Sequence, residues 1–329
     1  MTRLDVVTAR RLKTVVGIFL ALIASACATS RPSGSPQPAT APAAPAAASA
    51  SRPAAGAPAG AAATPDTPAR KTVTAKDGTK LAYDMTGTGP FLVMLHGGGQ
   101  SARSWADREY VTKLKGQFTL VTPDQRGSGE SDKPATLEAY ALDTLLDDVL
   151  AVADAAGAKR FHVWGFGHGA TLARYLAARS DRVISAVLVA SEFGPALSGT
   201  VKDAVTGMRA KWLPLVQQKT AGTLKVEALS LSDRTAWDNG IAVSAMSLGA
   251  MLDYPPLEPA AIKVPTLWLA GAADTSAMEN AKAYEGKLAG SKVTLKSLSG
   301  ASYTDSFAKS DVPLAEALPF LTAQAKANP

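Results

Sequence analysis

Histidine is scarce in this 329-residue chain: His96, His162 and His168 are the only three, none lies beyond 168, and a single cysteine, Cys27, accompanies them. One cysteine forms no internal disulfide and so few soft ligands build no cysteine-based metal site, so neither a metal nor a cofactor is expected. The residues that could do chemistry sit beside glycines instead. His96-Gly97-Gly98-Gly99 follows the apolar run from Phe91 to Leu95, and glycines there let backbone N–H groups approach a ligand oxygen, as an oxyanion hole requires. Gly165-Phe166-Gly167-His168-Gly169 lies between a strand-like and a helix-like run, where glycine permits a sharp, strained turn. Pro123-Asp124-Gln125-Arg126-Gly127-Ser128-Gly129-Glu130-Ser131 follows another apolar run, Asp274 stands just past a later one, and Gly300-Ala301-Ser302-Tyr303 follows the last.

These motifs need elements to hold them at one edge. Asp77-Gly78 between Val73–Lys76 and Leu81–Thr86 is a hairpin signal. Short apolar runs without alternation follow: Phe91–Leu95, Phe118–Thr122, Phe161–Trp164, Val183–Ala190, Thr266–Ala270 and Val293–Leu298. Such runs suit strands buried on both faces, hence a largely parallel sheet. Leu142, Leu145, Leu146, Val149, Leu150 and Val152 recur at helical spacing within 137–156, and 170–179, 277–288 and 313–325 are further helices. Between about 192 and 262 lie helical periodicity, Trp212, Trp237, Met246 and Met251, but no good strand. An insertion of that kind reads as a helical cap over the carboxyl edge of an α/β sheet, where such folds place their sites.

The order of these motifs at strand ends across 71–329 resembles the α/β-hydrolase family. The resemblance implies a mostly parallel central sheet with flanking helices and a helical cap, oxyanion donors at the N–H groups of Gly98 and His168, and an acid at Asp274. It also exposes departures. The centre of the strand-to-helix turn, where the family carries a nucleophile, is Gly167, which has no side chain to form a covalent intermediate. The position matching the family's histidine is Tyr303, and chain order in this fold puts that histidine last. Losing both groups should remove a factor on the order of 10⁴ to 10⁶ from the usual acyl-transfer route.

Other side chains could face the same pocket. His96 at the end of a buried strand reads chiefly as a structural hydrogen-bonding group, His162 as a strand histidine, and His168 as a backbone donor whose ring is packed. Ser302, Tyr303 and Asp305 share the loop expected at the pocket, and Glu192 follows the strand after which some relatives place their acid. An unperturbed tyrosine titrates near ~10 and is a poor base at neutral pH. Three readings stay open. The first is a non-catalytic protein whose capped pocket binds a small apolar ligand or an envelope partner. The second is a hydrolase or lyase using Asp274, Glu192 or a pocket histidine with bound water and the oxyanion loops. The third is a structural scaffold.

The N-terminus addresses the chain. Arg3, Arg10, Arg11 and Lys13 precede an apolar stretch, Val15 to Ile23, and Ala24-Ser25-Ala26-Cys27, the three regions of a secretory signal over 1–26. Small residues ending at a cysteine resemble the bacterial lipoprotein box, so Cys27 is expected to be lipidated and to anchor the chain in an envelope membrane, the outer membrane if there is one. Ordinary cleavage, giving a soluble periplasmic or secreted protein, is the alternative, and Arg10-Arg11 also fits a twin-arginine signal. Residues 27–70 then read as a lipidated cysteine and a disordered tether, because 26 of the 43 residues in 28–70 are Ala or Pro and none is Val, Ile, Leu, Met or aromatic. The formal charge of +6 owes half its excess to the signal segment, and no later block of Lys and Arg suggests nucleic-acid binding.

Overall fold

The computed structural model describes residues 70–328. Cys27, the signal-like segment and the Ala/Pro-rich segment up to 69 lie outside the described residues.

The chain enters through a hairpin, β1 (Lys71–Thr74) and β2 (Lys80–Gly87). Six more strands complete the sheet: β3 (Phe91–Leu95), β4 (Thr119–Pro123), β5 (Phe161–Phe166), β6 (Val183–Val189), β7 (Thr266–Gly271) and β8 (Val293–Leu298). Their spatial order is β1-β2-β4-β3-β5-β6-β7-β8. β2 runs antiparallel to β1 and β4, and every other pairing is parallel. β5 and β6 are buried at every position, which is why their sequences lack alternation: neither face meets water.

Ten helices pack around the sheet among the described residues. Five come before or flank the central strands: α1 (Arg103–Asp107), α2 (Tyr110–Leu114), α3 (Leu142–Ala155), α4 (His168–Arg179) and α5 (Gly199–Thr220). Then come α6 (Leu231–Asp238), α7 (Ile241–Ala250), α8 (Thr275–Tyr284), α9 (Asp305–Ala308) and α10 (Asp311–Ala327). The helix expected from 137 starts later, because Ala141 is extended (ψ 144°) and divides a single 3₁₀ turn at Glu138–Tyr140 from α3. Apolar periodicity ran through that break because Tyr140 and Leu142 are both buried on the same side of the chain's core.

Two apolar cores form, one on each face of the sheet. One gathers α3, α4 and the helices α5 and α7, with Leu145, Val149, Leu172, Trp212 and Met246. The other holds Trp105, Tyr110, Trp164, Phe166 and Phe307, in edge-on and stacked contact at 4.4–6.1 Å between ring centres. Helices α5 to α7 form the insertion between β6 and β7. Its neck is one antiparallel bridge, in which Gly194 N–H donates to the Leu257 carbonyl (2.8 Å) and Leu257 N–H to the Gly194 carbonyl (2.9 Å). Leu248 of α7 stands over Gly98, 3.8 Å from where a Cβ on that glycine would lie.

Candidate functional site

The Pro123–Ser131 motif is a structural corner. Asp124 accepts from the N–H groups of Ala102 and Glu130, both at 2.7 Å, and from the Arg70 guanidinium. A Cβ on Gly129 would lie 2.0 Å from the Asp124 carboxylate, so the close approach requires glycine there. Arg126 makes a bidentate pair with Asp148 of α3 (2.8 Å twice) and also reaches Asp77 and Thr79 in the β1–β2 turn. The loop thereby ties hairpin, helix and the glycine-rich segment 97–102 together.

His96 belongs to the same corner and lines no pocket: it is 1 % exposed. Its Nε2 accepts from the Gln125 N–H (3.1 Å) while Nδ1 lies 2.8 Å from the Gly97 carbonyl, which assigns the proton to Nδ1. Burial holds its pKa below the usual imidazole value. His162 is likewise structural, with Nδ1 2.8 Å from Ser185 Oγ and a pKa lowered to about 4 by burial.

The turn after β5 has the geometry its glycines suggest. Gly167 sits at φ 52°, ψ −115°, a backbone that L side chains rarely adopt. Gly165 and Gly169 allow the close approach: a Cβ on Gly165 would lie 2.3 Å from the Gly169 carbonyl oxygen, and one on Gly169 would lie 2.1 Å from that of Leu95. Gly97 Cα lies 3.8 Å from where a Gly167 side chain would begin, and His168 Cβ 3.9 Å from where that of Gly98 would. The glycine-rich loop and the start of α4 therefore abut, and neither the Gly98 nor the His168 N–H donates to any acceptor among the described residues. His168 itself is half-buried; its Nε2 is sealed from solvent without a partner, and burial, then the nearby His96, lowers its pKa to about 4.

Tyr303 fills the space above this turn. Its hydroxyl lies 2.5 Å from where a Cβ on Gly167 would sit, and its ring leans on Phe166 at 5.1 Å. The residue as a whole is 40 % exposed, but the titrating oxygen is the end sunk against Gly167. Burial, and secondarily the charge of Asp274, push its pKa up to about 12, so the phenol is neutral and can donate but cannot act as a base near pH 7. Asp274 caps α8, its Oδ1 accepting from the Ala277 N–H at 3.2 Å, and its carboxylate holds no imidazole. Ser302 turns inward on its own loop, donating from Oγ to Asp305 Oδ2 at 2.9 Å and accepting from the Asp305 N–H. Glu192 lies at the insertion neck, where Ser276 and Ser198 donate to its two carboxylate oxygens at 2.6 Å each.

The structure thus brings Gly98, Gly167, His168, Tyr303 and Asp274 to one edge and sets His96 and Glu192 apart from them. The larger described cavity, about 300 Å³, opens between residues 136–138 and α5, lined by Leu137, Leu213, Val216 and Gln217. A smaller one of about 10 Å³ lies beneath Asp124 and Arg126. Among the described residues no group of three or more His, Cys, Asp or Glu is gathered as a metal site would need, and no helix is long and apolar enough to cross a membrane. Sequence reasoning missed Arg174, treated below, and the Ser198 and Ser276 contacts: an arginine in a helix and serines at helix starts give no signal of partners far along the chain.

Comparison with known proteins agrees with this architecture. Residues 90–226 match the family model described as alpha/beta hydrolase fold. The chain is 29% identical over 120 residues to Epoxide hydrolase 3 of Siraitia grosvenorii, covering 36% of this chain and 38% of that protein. It is 36% identical over 101 residues to the Soluble epoxide hydrolase of Corynebacterium sp. (strain C12), covering 31% and 34%. The matched stretch thus spans only about a third of these relatives' length. Among solved structures, the Bottromycin epimerase BotH in complex with Bottromycin A2 superposes with a TM-score of 0.57 at 21% identity, covering 77% of this chain and 98% of that one. The domain has the α/β-hydrolase fold, an eight-stranded, mostly parallel sheet with flanking helices.

Proposed function

We propose that this domain binds rather than hydrolyses: an α/β-hydrolase fold that has exchanged its nucleophile and base for a glycine and a tyrosine. The observation that carries the reading is the Tyr303 hydroxyl, which stands 2.5 Å from the start of any side chain Gly167 could be given. The nucleophile's space is filled by a neutral phenol, and Asp274 is left capping a helix with no histidine to orient. A small apolar ligand would then sit in the 300 Å³ groove beside α5, a volume at the lower end of ordinary ligand pockets. An envelope partner laid along the same groove is the other occupant of this reading. We propose further that the chain is exported and anchored by acylated Cys27, with no nucleic-acid partner.

A hydrolase is the second reading, and the comparisons lean towards it: the two relatives above are named epoxide hydrolases. The strained backbone of Gly167 and the unpartnered Gly98 and His168 N–H groups also favour it, since both serve acyl or epoxide chemistry in principle. The fold by itself does not choose, because it is shared with a protein named as an epimerase.

Turnover separates the two. The purified chain, given a short-chain nitrophenyl ester and an aryl epoxide, is expected to hydrolyse neither above a blank, and Asp274→Asn to change nothing. Hydrolysis abolished by Asp274→Asn with the fold intact would refute the binding reading. Gly167→Ser alone should not create activity, whereas Gly167→Ser with Tyr303→His removes the obstruction and supplies a base beside Asp274. Saturable binding of an anilinonaphthalene dye, lost in Leu213→Glu, is the positive test for the groove.

A further inference from the structure

Arg174 of α4 is a buried cation without an anion. The residue is 1 % exposed, and only its Nη1 has an acceptor, the Glu192 backbone carbonyl. Nε and Nη2 are buried without a geometric hydrogen-bond partner among the described residues. The groups that face it are few. Tyr175 presents its ring at 5.1 Å and its hydroxyl oxygen near enough to interact with the guanidinium, although that hydroxyl donates to the Pro255 carbonyl, and Tyr284 donates to Glu258. The Glu192 carboxylate is near enough to be felt, yet it is turned to Ser198 and Ser276 at the starts of α5 and α8.

The two open nitrogens are not an arbitrary pair. Nε and Nη2 carry the parallel N–H bonds of one guanidinium edge, the edge that matches the two oxygens of a carboxylate. A buried unpaired charge is strongly unfavourable, and burial lowers the pKa of Arg174, in keeping with a charge short of partners. A lysine could not present such an edge, and a structural arginine filling space would bring its nitrogens to carbonyls, as Arg126 does to carboxylates.

We propose that the Nε–Nη2 edge of Arg174 is a carboxylate-binding edge, enclosed beneath the connection from β6 to α5, that takes one carboxylate group bidentately. The site is separate from the turn at Gly167 and goes beyond the reading given above. Two sources supply the same chemistry: a free small carboxylate, or the side chain of Glu192 itself after release from its serines. Filling the edge would fasten the neck, where Asn280 already exchanges hydrogen bonds with the Phe193 backbone at 2.9 and 3.0 Å.

The test is a melting titration of the full chain with sodium acetate against sodium chloride at equal ionic strength, for wild type, Glu192→Gln, Arg174→Gln and Arg174→Lys. A saturable rise in Tm of several degrees in wild type, kept in Glu192→Gln and lost in both Arg174 variants, identifies a free carboxylate. A flat wild type with a responsive Glu192→Gln identifies Glu192 as the occupant, displaced by its own chemical analogue. Flat curves in both, or a rise that survives Arg174→Lys, overturn the proposal. Should Arg174→Gln fail to fold, Arg174→Lys and the acetate-dependent shift of the Arg174 Nε–H signal in nitrogen NMR carry the same decision, a signal that does not move with acetate in wild type or in Glu192→Gln counting against it.

Discussion

Gly167 and Tyr303 are energetically one feature. Gly167→Ala places a Cβ at φ 52° and 2.5 Å from the Tyr303 oxygen, so we expect a loss of about 1–3 kcal/mol from backbone strain and more from the contact. Tyr303→Phe removes that oxygen and leaves the next ring atom at 3.7 Å. Urea unfolding of the two single variants and the double should therefore show favourable coupling, and strict additivity would mean that the hydroxyl does not stand over Gly167. His162 makes a second residue-scale prediction. Burial lowers its folded pKa to about 4, below the ordinary imidazole value of 6.5, so between those values the unfolded chain binds the extra proton. Stability from this group is fully present above 6.5 and is lost as pH falls towards 4, with a slope of at most ~1.4 kcal/mol per pH unit. The difference in unfolding free energy between wild type and His162→Gln should follow that window; a difference independent of pH would contradict it.

At the scale of elements, the corner after β4 ties distant parts of the fold through side chains that are themselves buried. Arg126 is nearly sealed and divides its hydrogen bonds between α3 and the β1–β2 turn. Asp148→Asn keeps the shape but removes the buried charge opposite, which should cost about 3 kcal/mol and raise hydrogen exchange in 71–87 as well as in α3. Faster exchange confined to α3 would show the hairpin to be held by other means. The strands of this architecture were legible from apolar runs flanked by glycine and proline, and β3 and β8 match the sequence reading to the residue. The break at Ala141 was not legible, since burial on both sides preserves the apolar pattern while the backbone changes course.

For the whole molecule, the prediction concerns where it resides. Cys27 is the only cysteine and follows an apolar stretch ending in small residues, so the mature chain should begin at an acylated Cys27 and fractionate with membranes, and Cys27→Ser should release it or leave it unprocessed. Intact mass showing a start at Cys27 without acyl groups would contradict that anchoring.

The sequence by itself determined the order of the motifs along the chain, the missing side chain at 167 and the exhaustion of histidine after 168, because each is a statement about residue identity and local pattern. It also suggested that His96 serves structure, since a histidine closing a buried strand needs partners. Only the tertiary structure decided what occupies the gap at Gly167, that His96 hydrogen-bonds Gln125 instead of lining a pocket, and that Arg174 is left with an open edge. Those outcomes depend on groups 18 to 136 positions apart coming together, and no local periodicity records which distant group will fill a given space.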